Sequence, residues 1–456
     1  MNVPKKIFRQ YDVRGLVDEE LTPELATALG RAFATAGWRT LGRAPVLAVG
    51  RDNRPSGDRL ARGVRQGIVA SGGTVIDVGM VPTPALYFAV SHLEADGGLQ
   101  VTGSHNPPEF NGFKMVLAGE AIHGDAILDL YDIIVAETWQ SGSGTERVDG
   151  SILDGYANAI LSRHHLTRPV KVVIDCGNGV ASLVAERVVR GLGCEVRPLF
   201  CESDGTFPNH HPDPTVPENL EDLVREVRRT GAELGIAFDG DGDRIGAVDE
   251  QGTIVFGDQL LVILGRDAVR RFGKGVPVIF DVKCSEVLPQ ALIAAGARPE
   301  MWKTGHSLIK ARMKELRAPL AGEMSGHIFF GGDYFGFDDA LFAAARLLEI
   351  VAATGSGLHR LLADLPKTFA TPEIRVDCPD DVKFGIVEKA AAHFGSLYKV
   401  NTIDGVRIAY PDGWALLRSS NTQPVLVMRF EATSQASLDR YRSEMRGWLA
   451  GQGVEA

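Results

Sequence analysis

Three stretches of this chain repeat one pattern: an apolar strand, a polar turn, then a run with helical spacing. That repetition constrains the fold more than any single motif. The stretches are Val46-Leu-Ala-Val-Gly-Arg-Asp-Asn, Val170-Lys-Val-Val-Ile-Asp-Cys-Gly-Asn and Val276-Pro-Val-Ile-Phe-Asp-Val-Lys. After the first, residues 57–70 carry Leu60, Val64 and Ile68 about one helical turn apart, and residues 180–192 read as a helix after the second. Starts at 46, 170 and 276 predict three similar α/β units of about 100–125 residues each. Nearly continuous apolar strands imply sheets covered on both faces.

The remainder reads differently. Residues 373–377, 406–410, 414–417 and 425–431 look like short strands, accompanied by helical runs over 381–393 and 434–449. That tail predicts a small, mainly antiparallel α+β unit. Breaks fall at Ser141-Gly-Ser-Gly-Thr, Asp249-Glu-Gln-Gly-Thr and Leu365-Pro-Lys-Thr. The expected organisation is therefore an α/β protein with domains at 1–148, 149–252, 253–366 and 367–456.

Composition narrows the class. No segment approaches the roughly 18 apolar residues that span a bilayer, and the opening Met1-Asn-Val-Pro-Lys-Lys-Ile-Phe-Arg lacks an apolar signal core. Five scattered cysteines (Cys176, Cys194, Cys201, Cys284, Cys378) form no CxxC pair and read as reduced thiols. A cytoplasmic enzyme with no membrane partner is expected. The net charge of −10 argues against a nucleic-acid partner. It also obliges any phosphate-handling site to concentrate Arg, Lys and backbone N–H groups locally.

Four loops carry candidate chemistry. Thr102-Gly-Ser104-His105-Asn-Pro-Pro follows the apolar run 98–101 and sets a serine hydroxyl at a strand end. A plain turn is the alternative reading. Asp239-Gly-Asp241-Gly-Asp243-Arg244 lies between the strands 234–238 and 245–248. Three carboxylates this close repel one another unless a cation sits among them, and the glycines let their oxygens converge. An EF-hand fits poorly, because Arg244 stands where its turn needs Gly and the flanks are strands. Oxygen-only ligands favour Mg²⁺, and Arg244 can hold a phosphate. Gly322-Glu323-Met324-Ser325-Gly326-His327 offers groups suited to sugar hydroxyls, though a surface loop reads equally well, and His306 lies near in sequence. Arg418-Ser-Ser420-Asn421-Thr422-Gln-Pro424 is an anion cradle or a polar hairpin turn. A hydroxyl nucleophile joined to a hard-metal loop suggests phosphoryl transfer.

These four loops, in this order and across essentially the whole chain, resemble the α-D-phosphohexomutase superfamily. Phe8 through Gly15 also looks like that family's opening motif, and Gly-Glu-Met-Ser-Gly-His is similar to its phosphomannomutase/phosphoglucomutase branch. Phosphoglucosamine mutases usually carry Gln where Met324 stands. The resemblance implies a heart-shaped protein whose four domains surround a central cleft. It implies Ser104 as the phosphorylated residue, Asp239, Asp241 and Asp243 holding Mg²⁺ with the Ser104 phosphate, and Glu323 and Ser325 selecting the sugar. Arg418, Ser420, Asn421 and Thr422 would grip the non-reacting phosphate, while Lys114, Arg244, Lys283, His306, His327 and Arg14 match further active-site positions. The implied reaction interconverts hexose 1- and 6-phosphates of mannose or glucose through a 1,6-bisphosphate. Lys114 and His327 are the candidates for proton handling. A phosphoglucosamine mutase, a metal-dependent sugar phosphatase and a non-catalytic phosphosugar-binding protein are the alternatives. A monomer or a homodimer is equally compatible.

Overall fold

The computed structural model describes residues 3–421 and 423–455, so Thr422 lies outside the described residues. Among the described residues the strands form four sheets of seven, five, four and six members. The first three share a kernel. In the first, strand Val46–Arg51 is central and pairs in parallel with Thr74–Met80 on one side and Gly97–Val101 on the other. Gly97–Val101 then pairs antiparallel with Phe110–Leu117. The second sheet repeats this with Lys171–Asp175 central, Glu195–Leu199 and Leu234–Phe238 parallel to it, and Ile245–Asp249 antiparallel. The third does so with Pro277–Asp281, Arg298–Trp302, Leu320–Gly322 and Ile328–Phe330. The three repeats read from the sequence are thus one supersecondary unit used three times.

That kernel explains where the motifs sit. In each unit the chemistry-bearing loop joins the third parallel strand to its antiparallel neighbour: Ser104 after Val101, Asp239 after Phe238, Glu323 after Gly322. Loops at the carboxyl ends of parallel strands are where α/β sheets bind ligands. The fourth sheet is antiparallel along Lys399–Asn401, Val406–Tyr410, Gly413–Ser419 and Val425–Ala432. Its candidate loop is the turn between the last two strands.

Local signals set the element ends. Helix Pro23–Leu41 begins where the Thr22 hydroxyl accepts from Leu25 N–H and ends at Gly42 in the left-handed region. Such a cap contributes about 1 kcal/mol. Two expectations needed correction. Residues 180–192 do not form one helix but a 3₁₀ turn, Val180–Leu183, followed by Ala185–Gly191. The Val180 N–H, which would have no partner within its own helix, donates to the Gly240 carbonyl and ties this turn to the aspartate loop. The tail also holds a strand at Lys399–Asn401, too short to show alternation in sequence.

Burial separates the tail from the rest. One continuous apolar core runs from Ala48 of the first unit through Ile174 and Val278 to Leu358. The C-terminal sheet has its own core around Phe394, Met428 and Tyr441. It meets the third unit through a small apolar cluster of Val282, Trp414 and Leu416 and through polar bonds. Arg407 donates to the carbonyls of Val282 and Cys284, and Ser285 donates to Glu431. Among the described residues no helix is long and apolar enough to cross a membrane.

Candidate active site

Ser104 is buried, and its backbone lies in the left-handed region at φ 51°. A non-glycine residue there carries about 1–3 kcal/mol of strain, which the surroundings must hold. They do so through Arg54. Its side chain is fully buried and donates to the carbonyls of Ser104 (2.9 Å), Asn106 (2.5 Å), Pro107 (2.6 Å) and Phe110 (2.9 Å), with Asp52 as its counter-ion. A Cβ on Gly103 would stand 2.5 Å from that guanidinium, so only glycine fits. Arg14, paired with Asp12 at 2.5 Å, donates to Asn106 on the far side of the loop.

The aspartate loop docks directly onto the serine. Ser104 Oγ donates to Asp239 Oδ2 at 3.2 Å. A Cβ on Gly240 would stand 2.4 Å from the Ser104 carbonyl, so the glycine is what lets the two loops touch. Asp239 Oδ1 accepts from the N–H groups of Gly242, Asp243 and Arg244, folding the loop around one carboxylate. Asp241 Oδ2 accepts from Thr83, Thr102 and Lys114. Lys114 Nζ also reaches Asp243 Oδ2 at 2.5 Å.

The electrostatics point to a cation. Asp239, Asp241 and Asp243 are fully buried and each offers an oxygen within 4.8 Å of the others. Asp241 Oδ1 and Asp243 Oδ1 are buried with no hydrogen-bond partner. Burial and the neighbouring Asp241 and Asp243 charges push the Asp239 carboxyl well above the usual carboxylate range. A divalent cation among these oxygens would remove that penalty, and the all-oxygen donor set suits Mg²⁺. Burial opposes a charged Lys114, but Asp241 and Asp243 outweigh it and raise its ammonium well above the ordinary lysine range.

The third loop joins this centre through Arg244, whose Nε donates to His327 Nε2 at 2.9 Å. Glu323 accepts from Gly305 N–H at 2.6 Å and from Ser325 Oγ at 2.9 Å. Its carboxylate is buried, yet His327 and Lys283 bring it below its usual value. His306 stacks on His327 with ring centroids 5.7 Å apart. Lys283 lies 3.7 Å from Asp281 and 3.3 Å from Glu373.

The fourth loop closes the circle. Arg418 is buried and paired with Asp404 at 3.1 Å. The Ser420 hydroxyl accepts from Gln423 N–H, and its carbonyl accepts from Lys383 Nζ. Asn421 donates to the Tyr11 hydroxyl at 2.7 Å, and Tyr11 donates to the Thr304 carbonyl at 2.7 Å. One N-terminal tyrosine therefore ties the third and fourth units together. All the described sequence candidates fall into this connected set.

The comparisons follow the same division. Residues 5–141, 154–252 and 256–369 match alpha/beta/alpha domains I, II and III of phosphoglucomutase/phosphomannomutase, and 373–447 match its C-terminal domain. The chain belongs to the phosphoglucomutase/phosphomannomutase family. A phosphomannomutase/phosphoglucomutase of Pseudomonas aeruginosa is 49% identical over 451 residues, covering 98% of this chain and 96% of the relative. A phosphoglucomutase of Neisseria gonorrhoeae is 43% identical over 453 residues, 98% of this chain and 97% of its own. The crystal structure of a phosphoglucomutase/phosphomannomutase family protein from Burkholderia thailandensis superposes with a TM-score of 0.91 at 44% identity. It covers 99% of this chain and 98% of that one.

Within this family frame, several site residues escaped the sequence reading. Arg54 and Asp52 sit in the polar run after the first repeated strand, and that run was the available signal. Tyr11 and Thr102 lie inside quoted motifs without being singled out there, and Thr83 and Glu373 had no signal. Glu373 makes one measurable difference. Burial would raise its carboxyl, but Lys283, Arg375 and Arg418 bring it from 4.5 down to about 2. A folded value below the unfolded one means stabilisation that is present above pH 4.5 and lost as pH falls towards 2. The contribution at neutral pH is about 2–3 kcal/mol after allowing for partial exposure. The stability gap between the wild type and Glu373→Gln, read from denaturant midpoints, is expected to shrink by about half or more between pH 7 and pH 3. A gap independent of pH contradicts the assignment.

Proposed function

We propose that this protein is a phosphohexomutase that moves a phosphoryl group between O1 and O6 of a hexose, with mannose and glucose as its sugars. The observation that carries this reading is the 3.2 Å contact of Ser104 Oγ with Asp239, inside a ring completed by Arg244, Glu323 and Asn421.

In this reading Ser104 carries the phosphoryl group. Its P–O bond breaks as a hydroxyl of the bound hexose phosphate forms a new one. The hydroxyl proton is passed on, and the Ser104 oxygen regains a proton. The resulting hexose 1,6-bisphosphate turns end for end. Ser104 then takes back the phosphoryl group from the other position, so atoms balance over the cycle and no phosphate is released. Mg²⁺ held by Asp239, Asp241 and Asp243 would supply charge neutralisation at the transferring group. Arg244 and Lys114 add positive charge where the transition state gathers negative charge. Arg418, Ser420, Asn421 and Thr422 bind the distal phosphate in either orientation, with Lys283 and His306 beside them. Glu323 and Ser325 meet the 3- and 4-hydroxyls, which tolerates either configuration at C2. Lys114 and His327 are the candidates for moving the hydroxyl proton. A separate core and a joint made of one small apolar cluster and a few polar bonds suit the C-terminal unit to closing over the substrate and excluding water.

The test is ³¹P NMR of the protein with Mg²⁺, glucose 1-phosphate and a trace of the 1,6-bisphosphate. Glucose 6-phosphate should accumulate without inorganic phosphate, and peptide mass analysis should find one phosphoryl group on Ser104. Release of inorganic phosphate with no positional isomer means a phosphatase. Binding without exchange between the two positions means a phosphosugar-binding protein. Faster turnover of glucosamine phosphates than of hexose phosphates means a phosphoglucosamine mutase.

A further inference from the structure

Two thiols meet in the second unit, and the mechanism above uses neither. Cys176 follows strand Lys171–Asp175 and is fully buried. Cys201 lies just past strand Glu195–Leu199 and is half-buried. Their Sγ atoms are 3.1 Å apart. A disulfide bond is about 2.05 Å long, so closing the gap takes roughly 1 Å of side-chain movement in all.

The backbone holds the pair in place. Asp175 and Leu199 are the last partners of the parallel ladder between these strands. Beyond them the Cys176 N–H donates to the Leu199 carbonyl at 3.2 Å, and the Asn178 N–H donates to the Phe200 carbonyl at 2.8 Å. The Asn178 side chain donates to the Glu202 carbonyl at 2.9 Å. Bonds on both sides of the sulfurs keep the two segments together, so the thiols meet without a search by the chain. Access then sets the order of events. Cys201 reaches solvent and can meet a small oxidant, whereas Cys176 is enclosed in the apolar core.

We propose that Cys201 and Cys176 form a peroxide-responsive redox pair: Cys201 is oxidised first, and Cys176 traps it as a reversible disulfide. The Cys201 sulfur attacks an oxygen of hydrogen peroxide, the O–O bond breaks, and Cys201 becomes a sulfenic acid as one water leaves. The Cys176 sulfur then attacks the Cys201 sulfur. The S–O bond breaks, and the departing hydroxide leaves as water with the Cys176 thiol proton. Two thiols and one hydrogen peroxide thus give one disulfide and two waters, and a dithiol reductant reverses the oxidation. Trapping matters because a sulfenic acid left alone goes on to sulfinic and sulfonic acids, which thiols do not restore. It matters at this place because the segment that Cys201 opens grips the support of the serine loop. Asn53 donates to the Asn178 carbonyl and to Ser203 Oγ, and the Arg54 guanidinium lies 5.2 Å from the Phe207 ring centroid. A sulfinate, charged and larger than a thiol, would have to be housed at the base of that segment. The pair does not depend on the phosphohexomutase reading, and its readouts are chemical rather than kinetic.

The experiment treats the reduced protein, freed of reductant, with a molar excess of hydrogen peroxide. Remaining thiols are alkylated under denaturing conditions, and the peptides are mapped by mass with fragmentation. The expected product is a disulfide between Cys176 and Cys201 of one chain, lost on treatment with dithiothreitol. The buried Cys194, Cys284 and Cys378 should be recovered as alkylated free thiols. Full alkylation of every cysteine, a disulfide to another cysteine or between chains, or Cys201 sulfinic acid as the main product overturns the proposal. In Cys176→Ala, the same treatment should leave at least about tenfold more Cys201 as sulfinic or sulfonic acid than in the wild type. Equal amounts overturn trapping by Cys176. Should that variant fail to fold, Cys201→Ser takes its place: Cys176 should then stay a free thiol, and its oxidation overturns the proposed order.

Discussion

Replacing Ser104 by alanine is expected to lower mutase turnover roughly 10⁴-fold or more, about 5.5 kcal/mol of transition-state stabilisation, while leaving the fold intact. The reason is a division of labour within the loop. The hydroxyl makes a 3.2 Å bond to Asp239, but the backbone is held by Arg54 through the carbonyls of Ser104, Asn106, Pro107 and Phe110. Removing Oγ removes the atom that carries the phosphoryl group and disturbs none of those bonds. The melting temperature should therefore move by no more than about 2–4 °C, the equivalent of one hydrogen bond. Turnover and melting are to be measured on the same preparation. Near-normal turnover in Ser104→Ala excludes this serine as the carrier.

Arg54→Met is expected to show the largest stability loss of any single substitution in the serine loop. Methionine fills much of the volume but donates nothing. It leaves Asp52 buried without its counter-ion and orphans the loop carbonyls that the guanidinium served. Breaking a buried ion pair and stranding buried acceptors costs about 4–6 kcal/mol after relaxation. That corresponds to a fall of roughly 8–15 °C in the midpoint of the unit that unfolds. Burial already raises the Asp52 carboxyl, with Arg54 the main influence opposing it. Without the arginine Asp52 should take up a proton, so Asp52→Asn should recover part of the loss in a double-substitution cycle. Whatever Arg54→Met protein folds should be a poor catalyst, because the left-handed backbone at Ser104 has lost its main restraint. A midpoint within about 2 °C of the wild type contradicts this account of the loop.

The elements legible in the sequence were those with strong local signals. The central strands begin within a residue of 46, 170 and 276, because continuous runs of Val, Ile and Ala fit a sheet covered on both faces. Helix Gly57–Ala70 has the bounds its apolar spacing predicts. The aspartate loop and the serine loop stood out because glycine and proline restrict what neighbouring side chains can do. Strand Thr145–Val148, by contrast, is exposed along its length and reads as linker. Its place comes from parallel pairing with Thr74–Asp77, a contact made across seventy residues of chain.

The site divides in the same way. Ser104, the three aspartates, Glu323 and Arg418 could be named from loop chemistry alone, since each motif carries its function in a few adjacent residues. Arg54 and Tyr11 could not. Arg54 acts on carbonyls fifty residues away, and Tyr11 spans 293 residues to Thr304. Their roles depend on partners supplied by other units, and no window of sequence contains both halves of such a contact. The sequence by itself determined a threefold repeated α/β kernel, an antiparallel tail and the chemical character of four loops, because periodicity and turn chemistry act over a few residues. Tertiary structure alone decided that a buried arginine steadies the serine and that Tyr11 bridges the third and fourth units. Burial in a low-dielectric interior turns distant, individually unremarkable polar residues into obligatory partners.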